Sequence, residues 1–89
     1  MAYSVFLKSS ARRELERLSS KTHDAVVQRL QSLQETARPI GCQKLQGRSE
    51  YKLRVGNLRI IYGIDDNKKE ILVYIIDDRK QVYRRLREK

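Results

Sequence analysis

Three cations, Lys52, Arg54 and Arg59, stand close together in "YKLRVGNLRIIYG", the stretch from Tyr51 to Gly63. Arginine offers a planar fork of donors that matches phosphate oxygens, and lysine offers a compact charge that yields its proton more readily when other cations crowd it. If the three share one surface, the chemistry they suit is the gripping of a phosphodiester, and that surface could carry catalysis.

Whether they share a surface depends on the turn between them. Gly56-Asn57 is a Gly-X pair of the kind that builds a two-residue type II′ turn, and such a turn fixes the register. Val55 then pairs with Leu58, Arg54 with Arg59, Leu53 with Ile60, Lys52 with Ile61, and Tyr51 with Tyr62. One face of this hairpin is apolar: Tyr51, Leu53, Val55, Leu58, Ile60 and Tyr62. The other carries Lys52, Arg54 and Arg59 beside Ile61 and Gly63. Directly opposed like charges cost stability, by analogy with cross-strand pair energies of roughly 0.2–1 kcal/mol. Exposed basic residues on a strand also deter edge-to-edge aggregation, but that duty needs no second arginine on the neighbouring strand.

A second basic cluster follows in "DDRKQVYRRLREK": Arg79, Lys80, Arg84, Arg85, Arg87 and Lys89, with Tyr83 among them. An aromatic ring can stack on a base while surrounding cations hold the backbone. A solvated terminus would show the same composition. Val82 and Leu86, four residues apart, predict a short terminal helix.

The elements that must position these groups can be read from periodicity. "YSVFL", residues 3–7, is a β-prone run; Ser9 or Ser10 then offers an N-cap to a helix carrying Ala11, Leu15 and Leu18. "KTHDAVVQRLQSLQETA" sets Val26, Val27, Leu30, Leu33 and Ala37 on one stripe, and Pro39 and Gly41 stop it. The two helices should form a hairpin whose polar faces carry Arg12, Arg13, Arg17, Lys21 and Arg29, a pattern that ordinary solvation explains. From Glu50 the period becomes 2, giving the strands "EYKLRV", "LRIIYGI" and "EILVYII". The last two are apolar on both faces, as central strands are when something covers each side.

Composition bounds the rest. The 89 residues suffice for one domain with a single core. Twenty Lys and Arg against 11 Asp and Glu give a formal charge of +9, yet 39% of residues are hydrophobic. The chain therefore folds, and its charge implies a polyanionic partner. No window approaches the length of a membrane span and no leader pattern opens the chain, which predicts a soluble cytoplasmic protein without a membrane partner. One cysteine, Cys42, and one histidine, His23, leave no zinc-ligand set, so metal chemistry would have to rest on acids, and no cofactor is expected. Cys42 reads as a loop or core-edge residue and His23 as a helix-start residue.

Taken in order, these features resemble the RelE/ParE superfamily of toxins, and its RelE branch in particular. The likeness rests on "YKLRVGNLRIIYGI", the apolar strand "EILVYII" and "DDRKQVYRRL" at the expected distance, with "YSVFLKSSARRELERL" as the leading strand and helix. It covers essentially the whole chain. The resemblance implies an α+β fold, with a helical hairpin on one face of a largely antiparallel sheet and the active surface on the other.

It also implies the toxin component of a type II toxin–antitoxin system: an endoribonuclease that cuts translated mRNA in the ribosomal A site by metal-independent attack of a ribose 2′-hydroxyl. By matching position, Lys52, Arg54, Arg59, Arg79 and Tyr83 form the catalytic set, and Lys80, Arg84, Arg85 and Arg87 line the RNA path. In the roles we expect, Lys52 is the general base, Arg54 and Arg59 stabilise the phosphorane, Arg79 attends the departing 5′-oxygen, and Tyr83 orients the nucleotide. Many relatives carry histidine just before the later arginine, where this chain has Asp78. The implied partners are a cognate antitoxin, the 70S ribosome with its mRNA, and operator DNA reached through the antitoxin. A ParE-like inhibitor of DNA gyrase and a non-catalytic nucleic-acid-binding module are the alternatives.

Overall fold

Leu53, Ile60 and Tyr62 point to one side of adjacent strands and are almost wholly buried, so the apolar face read from the hairpin is the floor of the main core. A computed structural model describes residues 2–87, with Arg79, Lys80 and Arg87 described through their backbone alone. The chain runs β1 (Ser4–Leu7), α1 (Ser9–Glu16), α2 (Ser20–Leu33), β2 (Gln43–Lys44), β3 (Tyr51–Val55), β4 (Leu58–Asp65), β5 (Glu70–Asp78) and α3 (Arg79–Arg87). The five strands form one sheet in the order β1-β5-β4-β3-β2, with β1 parallel to β5 and the other pairings antiparallel. The α+β expectation holds.

Ala11 of α1 and Val26, Leu30 and Leu33 of α2 pack on Leu53, Ile60, Tyr62, Ile71, Val73 and Ile76. Full burial of each large aliphatic side chain contributes about 1.5–3 kcal/mol before entropy is counted, so this layer holds the fold together. The second face is covered in its middle by α3, where Val82 is fully buried against Ile61 and Ile75, with Leu45, Tyr74 and Leu86 around them. That explains why β4 and β5 are apolar on both sides.

Local details differ from the sequence reading. Lys8 holds the cap position of α1 and makes no side-chain capping bond, where Ser9 or Ser10 was expected. Helix α2 ends at Leu33, short of Ala37, which reaches the core from the following loop and whose carbonyl accepts a hydrogen bond from Tyr62 Oη at 3.0 Å. The two-residue strand β2 was not anticipated; a pair so short has no periodicity to read.

Candidate functional site

The hairpin register is the one the turn chemistry dictates: Val55 pairs with Leu58, Arg54 with Arg59, Leu53 with Ile60, Lys52 with Ile61, and Tyr51 with Tyr62. Gly56 has φ +59° while Asn57 does not adopt a positive φ, the combination a type II′ turn requires. Lys52, Arg54 and Arg59 thus lie on the face opposite the helical layer.

Arg59 is only 8% exposed, the one buried charged residue among those described. Its side chain makes one long hydrogen bond, to the carbonyl of Leu58 at 3.5 Å, and no ion pair with any described residue. Arg54 is exposed and donates from Nε to the carbonyl of Gly56 at 3.2 Å. Withdrawing a guanidinium from water without an opposite charge is costly, and a second arginine in register raises the cost. Such a pair suits an incoming anion.

Lys52 and Tyr83 meet across the sheet and α3. Lys52 Nζ donates to Tyr83 Oη at 3.0 Å and lies 5.4 Å from the ring centroid. Residues 31 positions apart are brought together because α3 folds back over β4 and β5 through Val82. Asp78 starts that helix: its Oδ1 accepts the Gln81 N–H at 3.0 Å, an N-cap bond. The residue before Arg79 therefore works here as a helix cap.

Arg79 opens α3 directly after the strand, and Lys80 and Arg87 lie on the same helix; their side chains fall outside the described residues. Arg84 is exposed on α3. Arg85 is differently placed. Its Nη1 donates to Glu14 Oε2 of α1 and to Asp77 Oδ2 of β5, the latter at 3.1 Å. Of the sequence-predicted residues, the structure brings together Lys52 with Tyr83 and Arg54 with Arg59, and ties Arg85 to two carboxylates.

Glu14 and Asp77 escaped the sequence reading. Glu14 follows the apolar stripe of α1 three residues after Ala11, the only visible sign that it faces inward. Asp77 was hidden by a register shift between Ile61 and Tyr62. Tyr62 pairs with Val73 but Ile61 with Ile75, so Tyr74 is an extra residue in β5. Unbroken alternation would set Ile76 opposite Arg59; the shift puts Asp77 there.

A cleft of about 560 Å³ opens at the other end of the same sheet face, lined by Phe6, Gly63, Leu72 and Tyr74 with Glu50, Asp65 and Glu70. It contains none of the predicted site residues, and its three carboxylates make it a poor seat for phosphate. The cationic row is the better candidate. Among the described residues no group of His, Cys, Asp and Glu could hold a metal ion, and no helix is long and apolar enough to cross a membrane.

Comparison with known proteins agrees with this fold. A family model described as the ParE toxin of type II toxin–antitoxin systems, parDE, matches residues 5–83. The fold superposes on the toxin–antitoxin complex RelBE2 of Mycobacterium tuberculosis with a TM-score of 0.78 and 26% identity, covering 89% of this chain and 100% of that one. It matches the archaeal RelE–RelB complex of Pyrococcus horikoshii at TM-score 0.80 and 22% identity, covering 89% and 97%. A YoeB/ParE toxin of Agrobacterium tumefaciens aligns at TM-score 0.74 and 13% identity, over 84% and 96%. A search of the curated proteins found no match.

Proposed function

The chain belongs to the ParE toxin family of type II toxin–antitoxin systems, within the RelE/ParE superfamily, and we propose that it acts as a RelE-type endoribonuclease on messenger RNA in the A site of the 70S ribosome. The observation that carries this reading is Arg59, buried to 8% exposure with no carboxylate partner among the described residues and with Arg54 in register beside it. A gyrase inhibitor acting through protein contacts has no evident need for that arrangement.

In the reaction we infer, Lys52 takes the proton of the 2′-hydroxyl as general base, and the 2′-oxygen attacks the adjacent phosphorus. Arg54 and Arg59 stabilise the charge on the phosphorane, the kind of electrostatic contribution worth about 10²–10³ in rate for a single donor. The P–O5′ bond then breaks, the departing 5′-oxygen stabilised by Arg79 and protonated by solvent water, leaving a 2′,3′-cyclic phosphate and a 5′-hydroxyl. Tyr83, bonded to Lys52 Nζ at 3.0 Å, holds the amine in place and offers a ring to the nucleotide. Lys80, Arg84 and Arg87 extend the path of the backbone. No metal or cofactor takes part. A cognate antitoxin of the RelB kind would neutralise the surface, and the complex would reach operator DNA through that antitoxin.

Primer extension on translated mRNA tests the reading. The unaltered chain should produce cuts inside codons only on ribosomes. Arg59→Ala should abolish them while circular dichroism reports an unchanged fold; full activity in that variant overturns the site. Uncut mRNA together with blocked supercoiling by DNA gyrase would favour the ParE reading, and inactivity in both assays would favour a binding module.

A further inference from the structure

The acid best placed to cancel Arg59 does not do so. Asp77 stands directly opposite Arg59 across β4 and β5, on the same face, where Cβ atoms are about 5 Å apart. A carboxylate at that distance would ordinarily pair with the guanidinium. Instead, Asp77 Oδ1 accepts the Asp78 N–H at 2.8 Å and Oδ2 accepts Arg85 Nη1 at 3.1 Å.

Arg85 is itself held from behind. Strand β1 pairs with β5 only from Glu70 to Val73, so the outer edge of β5 is bare beyond that point. Glu14 of α1 fills the gap: Oε1 accepts the Ile76 N–H at 3.1 Å, and Oε2 accepts Arg85 Nη1. The side chains of Arg85, Glu14 and Asp77 are 28, 22 and 30% exposed, so solvent screens these bonds less than it would a surface pair. One guanidinium thus serves two carboxylates, and α1, β5 and α3 are joined at a single point.

We propose that Arg85, anchored by Glu14, is a positioning residue that holds the Asp77 carboxylate away from Arg59 and so leaves the Arg59 guanidinium free for a phosphate. The inference rests on the reading of Arg59 as the phosphate-facing group. Loss of Arg85 releases Asp77 to pair with Arg59, which cancels one positive charge of the row. Removing the Asp77 charge as well restores the row. A purely structural role for Arg85 predicts the opposite, because the double variant would then be no better than the single one.

The test titrates the full chain with inorganic phosphate and follows the Arg59 Nε–Hε signal by NMR. Arg85→Gln should weaken phosphate binding about fivefold, the upper range of a single ion pair. Arg85→Gln combined with Asp77→Asn should return it to the wild-type value or tighter. Glu14→Gln keeps an acceptor for the Ile76 N–H but loses the charge that anchors Arg85, so it should weaken binding by a smaller factor. That variant decides the matter if Arg85→Gln fails to fold. Unchanged binding in the folded single variants, no recovery in the double variant, or no response of wild-type Arg59 to phosphate would each overturn the proposal. Phosphate binding that follows this pattern in a chain that never cuts mRNA would overturn the nuclease reading alone.

Discussion

Two arginines at opposite ends of the sheet have opposite circumstances. Arg38 lies in the open, its side chain 44% exposed, and is fully partnered: Nη2 meets Asp66 Oδ2 at 2.9 Å, Nη1 meets Oδ1 at 3.3 Å, and Nε donates to Tyr51 Oη at 2.9 Å. Tyr3 Oη adds a bond to Asp66 at 2.6 Å, and Lys69 lies over the Tyr3 ring. Arg59 is buried and has no such partner among the described residues. Solvation alone would arrange them the other way round. The exposed arginine joins the loop after α2 to the β4–β5 turn, a structural task that a paired charge performs well. The buried one, without a carboxylate partner among the described residues, does little for the fold in that state, and a ligand anion would complete it.

The largest expected effect breaks this comparison at both ends at once. Arg59→Leu should lower mRNA cleavage on ribosomes by at least about 10²-fold, yet leave the thermal unfolding midpoint unchanged or raised, since it removes a largely buried charge that has no carboxylate partner among the described residues. Arg38→Leu should do the reverse, lowering the midpoint by a few degrees with cleavage retained. If Arg59→Leu proves the more destabilising of the two, Arg59 is a structural residue and the contrast fails.

A smaller effect is expected at the junction of the cationic row with α3. Tyr83→Phe keeps the ring that lies 5.4 Å from Lys52 Nζ but removes the hydroxyl that accepts from it. A hydrogen bond to a charged group is worth about 1.5–3 kcal/mol, so cleavage should fall about tenfold or more in single-turnover measurements. The fold should be unaffected, because Val82, not Tyr83, is the residue of α3 that is fully buried. Unaltered cleavage would show that the Lys52–Tyr83 bond does not serve the reaction.

Much of the hairpin was legible because its determinants are local. A Gly-X pair between Val55 and Leu58 fixes a two-residue turn, the turn fixes the register, and the register fixes which side chains share a face. The helical layer was legible for the same reason, from stripes such as Val26, Leu30 and Leu33. What escaped depends on distant or irregular pairing. The extra residue Tyr74 in β5 reverses the alternation beyond it, so Asp77 could not be matched with Arg59 by counting. Glu14 finds the Ile76 N–H only because β1 stops after four residues, and nothing near Glu14 in sequence announces where a strand 62 positions away loses its neighbour. The partnered end was equally hidden: Arg38 and Asp66 are 28 positions apart and meet across loops with no periodicity.

The smallest effect is a pH dependence at the partnered end. Hydrogen bonding from Arg38, and then from Tyr3, pulls the Asp66 carboxyl down from 3.8 to about 2, while Asp66 and Tyr51 push the Arg38 guanidinium further above its ordinary range. Because the folded value of Asp66 lies below the unfolded one, its contribution is fully present above about pH 4. It diminishes as protons bind the unfolded chain first, and it is gone once the pH falls below about 2. Asp66→Asn should therefore lose stability at neutral pH and show a shallower decline than the wild-type chain between pH 4 and 2 in urea unfolding. Arg38→Leu should flatten the same window, since Arg38 is the main cause of the shift. High salt should shrink both differences, because the pair is open to solvent. Parallel curves for wild type and Asp66→Asn would mean that this end of the sheet is held by the tyrosines instead, and that the two arginines differ in burial without differing in what their charges do for the fold.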